Sequence, residues 1–274
     1  YNTDGTPSAR ETNASKNHAG KKKMPASWYY HLMHHYSPQV RVWAANGLGY
    51  LGEEAIPHIA KALGSKDSRL RTAGLNAISC ATGWAPGKTE SNITPAMITE
   101  HFLPTIVETL QDESLPMWEH RHALMAMSCA DSESIKANFE TIKPYFFEDE
   151  WWLRVAAFKS IEPLIRDTGA MRSLMPAMMA SYDEDINLPA RRWGATSIFK
   201  AAIAANPEIK DELVAAMAES VNRIELREGF HQPIDLNNIF ETLRYINMKK
   251  NPEHAIPLLP SIERIYANME PLPA

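Results

Sequence analysis

The chain has 274 residues, of which 45% are apolar and 22% charged, the balance of an ordinary folded protein. The formal net charge is −5 and the one basic run lies at residues 21–23, which argues against nucleic acid as a partner, because nucleic-acid-binding proteins usually carry a basic excess. No apolar run approaches the roughly 20 residues of a membrane-spanning helix, so we expect no membrane span.

Residues 1–25 predict an extended polar arm, because glycines and prolines among many Ser, Asn and Thr residues interrupt any helical periodicity. The chain begins at Tyr1 rather than at a methionine, which favours a processed or excised piece of a larger multidomain protein. Residues 26–269 show helical periodicity throughout and predict one repeat domain, and residues 270–274 form a short tail.

One type of helix recurs along this domain and is marked by an arginine near its start. Around this arginine the residues repeat one apolar stripe at i, i+3, i+4, i+7 and i+8, the spacing of an amphipathic helix. Small residues recur at i+3 and i+4, where they let neighbouring helices approach closely, although Trp43 holds the i+3 position in the first copy. The marker arginines are Arg41, Arg71, Arg121, Arg154 and Arg192.

A second type of helix alternates with the first and is marked by a proline followed by apolar residues. A proline inside a helix costs about 3 kcal/mol, so its recurrence at one register predicts a place in the first turn, where no amide donor is lost. The marker prolines are Pro57, Pro104, Pro144, Pro176 and Pro257.

The alternation of the two helix types predicts an all-α fold of about six helix pairs. An insertion near residues 83–94 lengthens one repeat. The first helix of the sixth pair carries Leu236, Ile239, Phe240 and Leu243. A helix pair that recurs along the chain is typical of a solenoid, in which each pair buries its apolar face against the next.

The clearest copy of the pattern runs from residue 40 to residue 63. Its sequence, Val-Arg-Val-Trp-Ala-Ala-Asn-Gly-Leu-Gly at residues 40–49 and Ala-Ile-Pro at residues 55–57, resembles the HEAT-repeat consensus. The resemblance covers roughly residues 38–268. It implies a right-handed α–α superhelix, a HEAT-like and armadillo-like solenoid whose second helices line a concave face often used for protein binding, and it leaves the partner open.

Histidines cluster in the aromatic-rich segment 28–36. His31 and His35 are four residues apart and would share one face of a helix, a spacing that suits two ligands of a metal ion. No glutamate follows His31, so the His-Glu-x-x-His pattern of zinc proteases is absent. The alternative interpretation is a helix that caps the first repeat.

Two tryptophans have matching places in adjacent repeats. Trp118 and Trp151 each lie three residues before a marker arginine. A tryptophan at such a position either packs between repeats or anchors a partner, since Trp is enriched at binding hot spots. With Tyr145 and Met179 on the second-helix face, these residues form the predicted partner-binding set.

These patterns favour a non-catalytic scaffold that binds a protein partner and uses no cofactor, because repeat arrays expose long surfaces without a catalytic pocket. The alternative is a metal-dependent enzyme, or a HEAT-like enzyme subunit, that uses the N-terminal histidines. Three HEAT-like enzyme classes are disfavoured: deoxyhypusine hydroxylases for want of repeated His-Glu pairs, DNA glycosylases by the charge, and phycobilin lyases because no motif singles them out. The sequence leaves the partner's identity, the compartment and the oligomeric state open.

Overall fold

The structure is a computed structural model that describes residues 24–80, 92–184 and 196–223, together with residues 256, 259–260 and 262–263. Over these residues the chain forms helices and turns and no strand. This confirms the predicted all-α class. Several predicted features lie outside the described residues: residues 1–23 of the arm, residues 83–91 of the insertion, Arg192, the first helix of the sixth pair, Pro257 and the tail.

The chain divides into two compact units, and the first comprises residues 1–141. It is a succession of short helices, with one 3-10 helix at Gly52–Ala55. The α-helices are α1 (Ala26–Leu32), α2 (Pro38–Gly49), α3 (Ile56–Leu63), α4 (Ser68–Cys80), α5 (Pro95–His101), α6 (Leu103–Gln111), α7 (Met117–Met127), α8 (Ser132–Ala137) and α9 (Phe139–Ile142), which ends at the boundary.

Helix α4 is the centre of the first unit. It packs against α2 and α3 on the N-terminal side and against α7 on the C-terminal side, and α6 packs against α7. The helices that carry marker arginines, α2, α4 and α7, therefore form one row. This is the packing expected of repeats that bury their apolar faces only against their neighbours.

The second unit comprises residues 142–274. Helix α13 packs against α11 and α12, and the buried amide of Asn206 donates to the carbonyls of Ile165 at 2.6 Å and Ala202 at 2.8 Å. The described elements are a 3-10 helix (Lys143–Phe147), α10 (Trp151–Ser160), a 3-10 helix (Glu162–Arg166), α11 (Thr168–Glu184), α12 (Thr196–Ala205), a 3-10 helix (Pro207–Ile209) and α13 (Lys210–Arg223).

In the described copies the repeated apolar stripe contributes to the core, and Trp43 departs from this pattern. In α4 and α10 the small i+3 residues, Ala73 and Ala156, are buried between helices. Trp43 holds the same position in α2 but is 53% exposed. An indole is too large for the space that an alanine fills between packed helices, so Trp43 instead contacts Trp28 of α1 at a ring-centroid distance of 5.7 Å.

The marker prolines behave as predicted in three second helices and differently in a fourth. Pro57, Pro104 and Pro144 lie at the first or second position of their helices. The prediction is wrong for Pro176, which lies inside the 17-residue α11. That helix begins well before the proline, because the Asp167 carboxylate accepts the amide of Ala170 at 2.8 Å and so caps the first turn.

Three of the marker arginines have a shared structural role, which the sequence did not reveal. Arg41, Arg71 and Arg154 each hold the loop before their own helix by donating to backbone carbonyls five or six residues earlier. Arg41 Nη1 donates to the carbonyls of residues 35 and 36 at 2.9 and 2.8 Å, and Arg71 Nη1 to that of residue 65 at 2.9 Å. Arg154 Nη1 donates to the carbonyls of residues 148 and 149. We call this arrangement the loop clamp.

Arg71 also joins two repeats through a buried ion pair. Its Nε and Nη2 atoms donate to the two carboxylate oxygens of Glu119 on α7, at 2.8 and 2.7 Å. The Glu119 side chain is 0% exposed, and the hydrogen bonds that its carboxylate accepts raise the pKa of Arg71. A carboxylate out of water needs such a partner, so the pair fixes α7 on α4.

We predict that Glu119→Gln lowers the free energy of unfolding by roughly 3 kcal/mol, because it leaves the Arg71 guanidinium without its counter-charge. Urea unfolding followed by far-UV circular dichroism measures the change. The matched control is Glu212→Gln, which breaks an ion pair to Arg172 of the same two-bond geometry, 2.9 and 2.6 Å, at the surface. No measurable change is expected there. Equal effects of the two substitutions would contradict the role given to the buried pair.

Helix α1 covers the open end of the first repeat, which confirms the capping interpretation. It packs against α2 and α3, and its Tyr30 ring lies 5.0 Å from the Lys61 ammonium of α3. The Tyr29 ring packs against α2 at Gly47, where an added Cβ would meet it at 2.2 Å. The glycine therefore allows an aromatic ring to approach the helix backbone closely.

We predict that Gly47→Ala lowers the free energy of unfolding by about 1–2 kcal/mol, although alanine is the better helix former, because the methyl group displaces the Tyr29 ring. The same change should weaken the near-UV dichroism of the Trp28–Trp43 contact. Gly64→Ala is the control, because its Cβ would meet nothing closer than 3.6 Å. A Gly47→Ala protein as stable as the control would show that α1 is not docked on α2.

Candidate functional site

The candidate site lies on helix α7, whose inner face is held in place by buried contacts. Glu119 is held by Arg71, and the neighbouring His120, itself buried, has Nε2 3.1 Å from the carbonyl oxygen of Asp112. Ala123 and Leu124 are fully buried in the following turn. These contacts fix the rotation of α7 about its axis, and with it the set of side chains that face outwards.

Four side chains lie on the remaining surface of the N-terminal half of α7: Met117, Trp118, Arg121 and His122. Met117 is 48% and Trp118 53% exposed, and the other two are partly exposed. Residues three and four apart are neighbours on a helix, so Trp118 has Arg121 and His122 beside it, and Met117 has Arg121. We call these four residues the α7 patch.

Arg121 departs from the other marker arginines that the structure describes, because it makes no loop clamp. Helix α7 begins four residues before its arginine, whereas α2, α4 and α10 begin three residues before theirs. The carbonyl five residues before Arg121 is consequently that of Pro116, which accepts the helix amide of Glu119 at 2.8 Å. Arg121 is thus released from the structural role that its counterparts have.

Arg121 is a cation without a counter-charge in the described part of the chain. It takes part in none of the hydrogen bonds or ion pairs found there, and partial burial lowers its pKa. Guanidinium groups bind carboxylates and phosphates through paired hydrogen bonds, and an unpaired one that has lost part of its water gains from such a ligand. The α7 patch can therefore bind an anionic group.

His122 is neutral at pH 7. Its burial, together with the positive charge of Arg121, lowers its pKa to about 4. The imidazole can thus donate or accept a hydrogen bond at the edge of the patch without adding a second charge.

The structure distributes the predicted binding residues over both units. Trp118 belongs to the first unit, and Tyr145, Trp151 and Met179 belong to the second. Trp151, the first residue of α10, and Met179 on α11 are partly exposed, whereas Tyr145 is only 6% exposed and packs in the core. A role of these three in partner binding stays a prediction.

The proposed metal pair does not share a helix face. Helix α1 ends at Leu32, so the exposed His31 lies in its last turn and His35 lies beyond it. His35 Nδ1 instead accepts the amide of Ser37 at 3.1 Å, in the turn that leads into α2. The described residues bring together no group of three or more His, Cys, Asp or Glu side chains that suits a metal ion.

Sequence reasoning missed Arg121 and His122 as candidate site residues. The repeat pattern presents Arg121 as one of five equivalent markers and does not single out His122. Their spacing of three and four residues from Trp118 was visible in the sequence. The early start of α7 was not, because a helix boundary that shifts by one residue leaves no clear mark in the apolar pattern.

Residues 40–65 match the family model of the PBS lyase HEAT-like repeat. They run from α2 through α3 into the loop held by Arg71. This segment is a HEAT-like repeat. The match confirms the resemblance drawn from the same residues, and the row of α2, α4 and α7 extends a HEAT-like packing along the first unit.

Solved structures of designed repeat proteins are similar to this chain at low identity. A designed armadillo repeat protein in complex with the peptide (KR)4 is 13% identical, with 88% of this chain and 100% of that chain covered and a TM-score of 0.43. An engineered protein is 14% identical, with 89% and 100% covered and a TM-score of 0.46. A second designed armadillo repeat protein is 14% identical, with 82% and 100% covered and a TM-score of 0.44. No curated protein matches the sequence.

No helix in the described part of the chain combines the length and the apolarity that a membrane span requires.

We predict a pH-dependent loss of stability from His122. Its folded-state pKa, about 4, lies below the unfolded value near 6.5, so the unfolded chain binds more protons between these values. The contribution of His122 to the free energy of unfolding is therefore greatest above pH 6.5. It falls by about 2 kcal/mol as the pH decreases towards 4, a figure reduced to account for the partial exposure of the ring.

Urea unfolding of wild type and His122→Gln at pH 7 and pH 4.5 measures this effect, because the carboxylates titrate alike in both proteins. The difference in free energy of unfolding between the two proteins should change by up to about 2 kcal/mol between these pH values. His31→Gln, which alters an exposed histidine, is the control. A difference that is constant with pH would show that His122 is not buried in its neutral form.

Proposed function

We propose that this protein is a non-catalytic interaction scaffold and that the α7 patch binds its protein partner. The observation that carries the proposal is the exposure of Met117 and Trp118 beside the unpaired Arg121 on a helix that a buried ion pair holds in place. Trp and Arg are the residue types most enriched in binding hot spots. Their combination here has no structural use that the described contacts account for.

The rigidity of α7 supports this proposal. A side chain that is already held in its binding geometry loses less conformational entropy when the partner arrives. Glu119 and His120 hold the helix from its inner face, so the backbone under Trp118 and Arg121 needs no rearrangement to bind. The patch is thus a preformed surface rather than a flexible segment.

The HEAT-like repeat fold supports the same function at a coarser level. Stacked helix pairs present a long surface, and each repeat can vary its outward residues without changing the core. We propose Trp151 and Met179 as further contacts of the second unit. The metal-dependent enzyme considered from the sequence is not proposed, since it depended on a helix that would bring His31 and His35 together.

We predict that Trp118→Ala reduces capture of the physiological partner by at least tenfold, because loss of a hot-spot tryptophan costs about 2 kcal/mol or more of binding free energy. Affinity capture from extracts of the native organism, with quantitative mass spectrometry, compares wild type with the variant. Isothermal calorimetry with the purified partner then measures the dissociation constants.

Tyr36→Ala is the control, because Tyr36 is more exposed than Trp118, at 85%, and belongs to no part of the α7 patch. Far-UV circular dichroism establishes that both variants keep the wild-type helix content. A partner captured equally by wild type and Trp118→Ala would place binding elsewhere. Loss of helix content in Trp118→Ala alone would identify the tryptophan as a packing residue.

A further inference from the structure

We infer that the α7 patch recognises an extended peptide segment of the partner in which a carboxylate side chain lies two residues from an apolar side chain. The carboxylate binds Arg121, and the apolar side chain packs on Trp118 and Met117. This inference rests on the proposed function and specifies the chemistry of the partner.

The first argument is charge complementarity. Arg71 and Arg172 each have a carboxylate that accepts two of their hydrogen bonds, whereas Arg121 has neither a carboxylate nor a clamped loop in the described residues. The free state therefore leaves a partly buried guanidinium without a protein acceptor among the described residues. A ligand with a planar, two-oxygen anionic group supplies both the acceptors and the counter-charge that Arg121 lacks, and a cationic or neutral polar ligand does not.

The second argument concerns the number of charges. The patch carries one positive charge at pH 7, because His122 stays neutral beside Arg121. One guanidinium balances the single charge of a carboxylate but only part of the charge of a phosphate ester, which is close to −2. The net charge of −5 also disfavours a polyanion such as nucleic acid. A carboxylate is thus the anion that fits.

The third argument is spacing. Trp118 and Arg121 are three residues apart on α7, which separates their Cα atoms by about 4.5 Å along the helix axis. Consecutive residues of an extended peptide are about 3.4 Å apart, and alternate residues about 6.8 Å. Successive side chains of an extended peptide point to opposite faces, so an acidic and an apolar side chain at alternate positions point the same way and reach both sides of the patch.

The experiment is a selection of peptides from a random hexapeptide display library on the immobilised full chain. We expect wild type to enrich Asp or Glu two positions from Leu, Phe or Trp. A synthetic peptide from the selection should bind at least about tenfold more tightly than its Asn or Gln analogue, because hydrogen bonds to charged groups are the stronger ones. The same peptide with phosphoserine in place of the acid, and a labelled single-stranded oligonucleotide, complete the set of probes.

Arg121→Gln should abolish the enrichment of acidic residues, and Arg121→Glu should shift it to Lys and Arg. Arg166→Gln, which removes an exposed arginine of the second unit, should leave the selection unchanged. The wild-type selection alone tests the inference should both Arg121 variants fail to fold. A selection without acidic residues, tighter binding of the phosphopeptide, or Arg121-dependent binding of the oligonucleotide would overturn it.

The chain itself contains a segment of the selected kind, because Phe147 is exposed and precedes Glu148, Asp149 and Glu150. Sedimentation velocity at increasing protein concentration tests whether a second copy is the occupant. A dimer that Arg121→Gln dissociates would assign the patch to self-association and overturn the inference of a separate partner. Failure of the peptide inference leaves the proposed function standing wherever partner capture still depends on Trp118.

Discussion

The buried ion pair between Arg71 and Glu119 is the interaction on which the first unit depends. A carboxylate with no exposed surface is tolerated only when a partner satisfies both oxygens, and the guanidinium of Arg71 does so with two short hydrogen bonds. The same guanidinium also holds the carbonyl of Ser65. One side chain thus links a loop, its own helix α4 and the next first helix α7, and determines which side of α7 faces solvent.

The candidate site arises where one copy of the repeat departs from the others. Arg41, Arg71 and Arg154 donate to the carbonyls of their own loops, and these arginines are part of the architecture. Arg121 is not, because α7 begins one residue earlier and His120 is the side chain next to the loop carbonyl. The loop clamp forms at Arg41, Arg71 and Arg154 but not at Arg121. Such a departure from a repeated local pattern commonly marks a functional position, and here it coincides with an exposed tryptophan.

The fold could be predicted from the sequence to the extent that periodicity determines it. The apolar stripes of α4 and α10 and the early prolines are local patterns, and each gave the correct element. The pairing of Arg71 with Glu119, which are 48 residues apart, leaves no such pattern, because a charged residue on a helix is usually solvated. The exposure of Trp43 and the place of Pro176 inside a helix could not be predicted for a related reason. The space available to the Trp43 indole, and the capping of α11 by Asp167, depend on neighbouring residues that the spacing of apolar residues does not specify.

The candidate site was predicted less well. Trp118 was identified because tryptophan is rare and its register repeats, but Tyr145, chosen for its place on the second-helix face, lies in the core. Arg121 is a candidate because it has no hydrogen-bond acceptor or counter-charge among the described residues. That property can be recognised only once the positions of all neighbouring acceptors are known. The end of α1 at Leu32 likewise follows from the turn that His35 closes with Ser37, and this turn separates the two histidines that a continuous helix would have aligned.

The loop clamp has a consequence for how such a chain can change over evolutionary time. Its acceptors are main-chain oxygens, which every amino acid supplies, so substitutions in the loops leave the closure of each junction intact. The donor and its acceptors lie within six residues of each other, so a duplicated segment brings along everything that its own junction requires. Repeats built in this way can be copied, and their loops can diversify, without any matching change elsewhere in the protein.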